Sequence, residues 1–302
     1  MKTKKILIYA LTLLVLTSYL SMSISAKSMD KNHDIIEEDA VVQESDGPEY
    51  YALFVGLEEF YGLETPDQEW IDESSTAMYE RLLLSENWKE ENIKVLQNEN
   101  ATKENIKEAI TGWLDDKENE SDIVLIFWNG HGWKTKFKDR RHGNAYLFTY
   151  NITDRYYGED KITDKELDSW VDELDSKHIV MIQDHCFSGR MFALRQSGRT
   201  ILAAGGRFVF CPANWSDYLE SSIFTYYLLE GLDGVADLNN DGWITARELF
   251  RYARFPVIWH STFLHFPYLH INPGEKYPVR FLGPQIPFMY DRHIGNIPLV
   301  KL

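Results

Sequence analysis

Two reactive side chains occupy matching places in the sequence. His131 lies in Asn129-Gly130-His131-Gly132, directly after the apolar run IVLIFW (123–128). Cys186 lies in Asp184-His185-Cys186-Phe187-Ser188-Gly189, directly after HIVMIQ (178–183). A thiol is a weak nucleophile until it loses its proton, and a nearby imidazole can accept that proton. Such a pair performs acyl transfer. The amides of Gly132 and Cys186 could face a tetrahedral oxyanion. Gly130 and Gly132 let the backbone turn tightly around His131 and approach a ligand closely. Taken singly, a cysteine is usually a small buried hydrophobe, and a histidine a satisfied core or surface residue. Both lie at the end of an apolar run and beside glycine, and together they point to catalysis.

A second constellation suits metal binding. Residues 237–248 (DLNNDGWITARE) fit D-x-[DN]-x-[DN]-G-x5-E at every constrained position. Asp237, Asn239 and Asp241 offer side-chain oxygens, and Trp243 its carbonyl. Thr245 offers a hydroxyl or a bridging water, and Glu248 a bidentate carboxylate, while Gly242 permits the turn. The expectation is one structural or activating calcium ion, not a paired EF-hand. The competing reading is a metal-free turn whose Asp and Gly residues serve the backbone. His260, His265 and His270, spaced by five, suit neither a helix face nor a strand face. They read as core or surface histidines, not zinc ligands.

The elements that must position these residues alternate. Residues 50–55, 93–96, 123–128, 178–183 and 207–211 read as short strands, most of them continuously apolar and thus buried on both faces. Residues 69–84, 102–114, 163–174 and 222–232 read as helices. Thr102 and Thr163 are their N-caps, and Glu166 closes a capping box with Thr163. Residues 144–150 read as an added hairpin. Alternation of this kind gives an α/β fold, a mostly parallel sheet with helices on both faces. Ligand sites then form beyond the carboxyl ends of the strands. If the 123–128 and 178–183 strands are neighbours and parallel, their ends lie about 5 Å apart, and His131 reaches Cys186. Gly231 and Gly234 are expected to break the helix before the metal loop. Residues 255–302, rich in Pro, Phe, Tyr and His, read as an irregular C-terminal extension packed on a domain of residues 49–254.

Three lysines (Lys2, Lys4, Lys5), an apolar run from Ile6 and the small residues Ser23, Ser25 and Ala26 have the layout of a secretory signal. The apolar core is short for a span of about 20 residues; an uncleaved anchor is the alternative. Residues 27–48 read as an acidic linker or pro-segment. The whole chain of 302 residues carries a formal net charge of −16. Without residues 1–26 it has 28 basic against 47 acidic residues, a net −19. That sign disfavours nucleic acid and anionic lipid as partners. Cys186 and Cys211 are the two cysteines, too few for a disulfide framework. Cys211 is expected to end the strand beside the Cys186 strand, as a buried spectator or a pocket residue.

The strand-plus-NGHG and strand-plus-DHCFSG segments resemble the histidine and cysteine blocks of the caspase and metacaspase superfamily, which includes legumain. The resemblance is closest to secreted prokaryotic caspase-like peptidases. It extends to YYALFVGLEEF, ITDKELDSWVDEL, SSIFTYYLLEGLDGVADLNNDGWITARELFRYA and PQIPFMYD, about residues 48–302. It implies a caspase-like fold, a cysteine endopeptidase acting on peptides or proteins, and no cofactor for the chemistry. It makes His131 and Cys186 the catalytic dyad, Gly132 the oxyanion residue and Asp184 the pocket residue that meets a basic P1 side chain. Asn129 and His185 depart from the family's usual serines. Asp217 and Glu220 are expected to add negative charge to the pocket, as are Glu58 and Glu59, so arginine or lysine is expected at P1. The competing functional readings are a legumain-like enzyme cleaving after asparagine and a catalytically idle, calcium-binding surface module.

Overall fold

The computed structural model describes residues 47–61, 70–135, 143–153, 160–206, 219–263, 270–271, 279–280 and 284–302. The expected signal segment, the linker up to residue 46, Cys211, Asp217 and His265 lie outside them.

Continuously apolar runs become the central strands, because both faces of the sheet are covered. Strand β1 (Tyr50–Gly56) lies between β2 (Ile93–Gln97) and β3 (Ile123–Asn129). Strand β3 is followed by a small antiparallel sheet of β4 (Gly132–Lys134), β5 (Ala145–Leu147) and β6 (Ile162–Thr163). Strand β7 (His178–Asp184) pairs in parallel with β3, and β8 (Arg199–Ala203) in parallel with β7. After β9 (Trp243–Thr245) and the pair β10 (His270–Ile271) and β11 (Val279–Arg280), strand β12 (Phe288–Asp291) runs antiparallel along β8. The main sheet thus has six strands in the order β12-β8-β7-β3-β1-β2. The last strand, β13 (Pro298–Lys301), pairs with β9.

Alternate residues of each strand feed two cores. On one face Phe54, Phe127 and Ile182 pack under α1 (Ile71–Leu83), α4 (Ile223–Glu230) and α5 (Ala246–Phe263), through Met78, Phe224 and Leu249 among others. On the other, Leu53, Trp128 and Met181 pack under α2 (Lys103–Glu108) and α3 (Asp164–Val171), through Ile106, Leu167 and Trp170. Helix α3 starts on the expected capping box: Glu166 N–H donates to Thr163 Oγ1 (3.2 Å), and Thr163 N–H to Glu166 Oε2 (2.9 Å). Buried Arg199 of β8 is paired with Asp168 of α3 (2.7 Å) and with Asp172 (2.6 Å), the helix's C-cap. A buried guanidinium requires such partners.

The mostly parallel α/β sheet expected from the alternation is present, and three assignments change. The strand beside β7 is residues 199–203, with β12 on its other side; residues 207–211, expected to be that strand, lie outside the described residues. The 102–114 helix is α-helical only to Glu108, and Ala109–Leu114 winds with a wider π-type turn. Among the described residues of 255–302, expected to be irregular, α5 runs through Pro256 to Phe263 and β12 is an edge strand of the main sheet. Residues 46–302 form one compact unit. Gly231 keeps helical angles, whereas Gly234, at φ +108°, ends the helical path before the calcium-type loop.

Candidate active site

Strands β3 and β7 run parallel in register, and their last residues, Asn129 and Asp184, are partners. The chain then leaves the sheet twice on the same side. His131 and Cys186 each stand two residues beyond a strand end. Parallel neighbours lie about 5 Å apart, so the loops that carry His131 and Cys186 leave the same end of the sheet side by side.

The two loops are joined at several points. Gly130 N–H donates to Asp184 O (3.3 Å). Trp133 and Phe187 meet edge to face, with ring centroids 5.5 Å apart. The closest approach is at Gly132. A Cβ there would lie 2.3 Å from His185 Nδ1 and 2.8 Å from Cys186 O. No other residue fits, so glycine at 132 is a packing requirement. The His131 ring is flanked by Phe60 and Phe148, with centroids at 5.3 and 5.7 Å. Those rings restrict the imidazole to an apolar slot. Cys186 is partly exposed at the edge of the apolar core. The chain after it turns through Phe187 in the left-handed region (φ +60°), an unusual conformation for a bulky side chain.

Below the thiol, Asp184 is completely buried. Its Oδ2 accepts from Ser222 Oγ and from Thr225 Oγ1 (2.6 Å), the N-cap and third residue of α4. Burial pushes its carboxyl up to about 6, although the Ser222 and Thr225 bonds pull the other way. Its second oxygen, Oδ1, has no hydrogen-bond partner. Beside it on the same face of the sheet, Asn129 is fully buried with neither amide atom bonded. Gly56 is Asn129's register partner on β1, and the buried Ser75 hydroxyl sits over it, 2.7 Å from where a Cβ would be, also without a partner. Three unsatisfied polar side chains at the carboxyl end of a sheet are costly unless something else occupies that place. Asn129 and Ser75 were not read as pocket residues from the sequence. The strand alternation that points Phe127 and Ile182 to this face was the available signal.

Glu220 is exposed in the turn before the Ser222 cap, at φ +47°. Glu58 donates its own N–H to Asn98 Oδ1 (3.0 Å) and accepts from Asp72 N–H (3.4 Å), at the ends of β1 and β2. Burial raises the carboxyls of both Glu58 and Asp72.

The calcium-type loop is spent on its own backbone in this structure. Asp237 accepts from the amides of Asp241 (3.2 Å) and Gly242 (3.0 Å), Asn239 from that of Asp241 (2.9 Å), and Asp241 from that of Trp243 (2.9 Å). Gly242 takes φ +83°. Glu248 accepts from the Thr245 hydroxyl (2.7 Å) and amide (3.1 Å), capping α5. Among the described residues, no three His, Cys, Asp or Glu side chains converge on a point that could hold a metal. His260 is buried and shares a hydrogen bond with Tyr227 OH (3.1 Å), as expected of a core histidine. No helix of the described residues is long and apolar enough to cross a membrane.

Residues 72–195 match the family model of the metacaspase, peptidase C14 domain. That segment runs from α1 past β3, His131, β7 and Cys186. No curated protein matches the chain.

Proposed function

We propose, from the match of residues 72–195 to the metacaspase peptidase domain, that this chain is a caspase/metacaspase-like cysteine peptidase, a hydrolase, whose His131–Cys186 dyad cleaves after arginine or lysine. The observation that carries the reading is the pairing of β3 with β7, which ends both strands at one level and sets the two loops in contact. In the proposed cycle His131 takes the Cys186 proton, and the thiolate adds to the scissile carbonyl carbon. The amides of Gly132 and Cys186 hold the oxyanion. Collapse breaks the C–N bond, His131 protonates the departing amine, and a thioester remains. Water, giving its proton to His131, adds to the thioester and releases the acid and the Cys186 sulfur.

The P1 preference rests on Asp184. An ionised carboxylate with one oxygen unpartnered, beside the unbonded Asn129 amide, suits a cationic side chain that can both neutralise and hydrogen-bond it. An aspartate-selective pocket would need the opposite sign. Glu220, Glu58 and Asp217 are at most contributors to the surrounding field. The N-terminal run of lysines, apolar residues and small residues supports secretion. For the Asp237–Glu248 loop the proposal is a calcium ion, supported by the motif. Binding there would have to draw the Glu248 carboxylate from its bonds to Thr245. Outside cells, calcium is abundant enough to fill a weak site.

The test is hydrolysis of fluorogenic peptides bearing Arg, Lys, Asn or Asp at P1, with and without calcium, by wild type, Cys186→Ala and His131→Ala. The expected result is cleavage after Arg or Lys that both substitutions abolish. Cleavage after Asn or Asp alone would keep the dyad and remove the pocket assignment. Absence of cleavage by a folded, reduced sample would favour the idle surface module. Calorimetric titration with calcium, compared with Asp237→Ala, reads the metal site apart from activity.

A further inference from the structure

His185 stands where the resembled family usually has serine, and nothing in the acyl-transfer scheme uses it. It is completely buried, between the backbone at Gly132 and that at Cys186, whose amides are the proposed oxyanion donors. Its Nδ1 lies 2.9 Å from the carbonyl oxygen of Cys186. A carbonyl only accepts, so Nδ1 carries the proton. Its Nε2 lies 3.1 Å from Oε1 of Gln183, a side chain itself buried on β7. Burial holds the imidazole down at about 4, so the ring is neutral near pH 7. With the proton on Nδ1, Nε2 is an acceptor. Two acceptors share no hydrogen bond, so the Gln183 amide is assigned with its NH2 toward Nε2, which also gives a partner to the otherwise unbonded Gln183 nitrogen. The result is a chain of donors, Gln183 NH2 to His185 Nε2 and His185 Nδ1–H to Cys186 O, that starts on the rigid strand and ends on the nucleophile's own carbonyl. The same ring lies against Gly132 so closely that any side chain there would strike it.

We propose that His185 is a positioning residue: a buried neutral strut that fixes the Cys186–Phe187 peptide plane and the spacing between Cys186 and Gly132, and so sets the oxyanion geometry. The inference rests on the dyad reading above. It explains how the chain stays in the left-handed turn at Phe187, where a bulky residue is disfavoured. The ring spaces Cys186 from Gly132, and its bond holds the carbonyl that leads into the turn. Serine is too short to span from Gln183 to the Cys186 carbonyl.

The experiment compares wild type, His185→Ala, His185→Asn and Cys186→Ala. It measures kcat and KM on an Arg-P1 peptide, and the rate of Cys186 alkylation by iodoacetamide across pH. Alkylation needs the thiolate but no oxyanion site. His185→Ala should lose kcat by roughly 10²-fold, the scale of a misplaced reacting geometry. KM and the alkylation profile should stay as in wild type. His185→Asn puts an amide N–H where Nδ1–H was and should recover most of that kcat. The positioning role is overturned if His185→Ala keeps kcat within about threefold of wild type, a change too small for misplacement. It is also overturned if alkylation falls in step with kcat, since the loop has then simply collapsed, or if His185→Asn is no better than alanine. An inactive wild type, or an active Cys186→Ala, defeats the dyad reading first and this one with it.

Discussion

Asp184 is held by two opposing requirements. Its carboxyl is raised from 3.8 to about 6 by burial. A carboxyl raised by folding favours the fold while protonated. That contribution is present below about pH 4 and is lost as pH rises toward 6; above that, the ionised group destabilises the protein by about 3 kcal/mol. Asp184→Asn keeps an oxygen to accept from Ser222 and Thr225 but cannot ionise. It should melt higher than wild type at pH 7 and no higher at pH 3.5, while losing cleavage after Arg and Lys. Scanning calorimetry at the two pH values, with a peptide assay alongside, checks both halves. In wild type, kcat/KM on Arg-P1 substrates should climb through about pH 6 as the carboxylate forms. At this scale His131, Cys186 and Asp184 were readable because each follows a strongly apolar run. His185 was visible only as an oddity. Its bond to the next residue's carbonyl exists only once the chain has turned at Phe187, and no spacing rule encodes that turn.

Elements succeed or fail as predictions according to how much of their signal is local. Strands β1, β3 and β7 are buried on both faces, so their sequences are unbroken apolar runs and their ends could be placed to within a residue. Strand β8 begins with Arg199, whose charge is met by Asp168 of α3 and by Asp172 at its C-cap, partners that no local pattern announces. The boundary expected at residue 255 falls inside helix α5, which continues past Pro256 to Phe263 although an interior proline ordinarily ends a helix. The α3 capping box was legible because both its partners lie within four residues. Thr163→Ala removes the Glu166 amide's acceptor and should cost about 1 kcal/mol in urea unfolding. Its kcat should be unchanged, since the cap touches neither loop of the dyad.

Across the whole molecule the net charge is −16. Acidic groups also gather near the carboxyl ends of β1 and β2, where Glu58 and Asp72 stand. A field of that sign draws cationic peptides in from beyond contact distance, and salt screens it over about 10 Å. Raising NaCl from 20 to 200 mM should lower kcat/KM for a multiply basic peptide by about fivefold through slower encounter, and leave a peptide with a single basic residue nearly unaffected. Stopped-flow measurement under kcat/KM conditions distinguishes the two. Composition shows this sign; the shared face of Asn129, Asp184 and Ser75 required the sheet.

The main sheet is finished by its latest part. Strand β12 pairs with β8 across more than 80 residues of chain, and β13 is fastened by Trp88 Nε1–H donating to Leu299 O (2.7 Å). During synthesis, β8 therefore emerges with one edge bare and waits for more than 80 further residues before that edge is covered. An open strand edge is a ready-made template for mispairing with another chain. The nascent protein is most vulnerable in that interval, while the strand beside β7 still lacks its second partner. A sheet closed by a strand so distant in sequence has a built-in delay between making Cys186 and framing it.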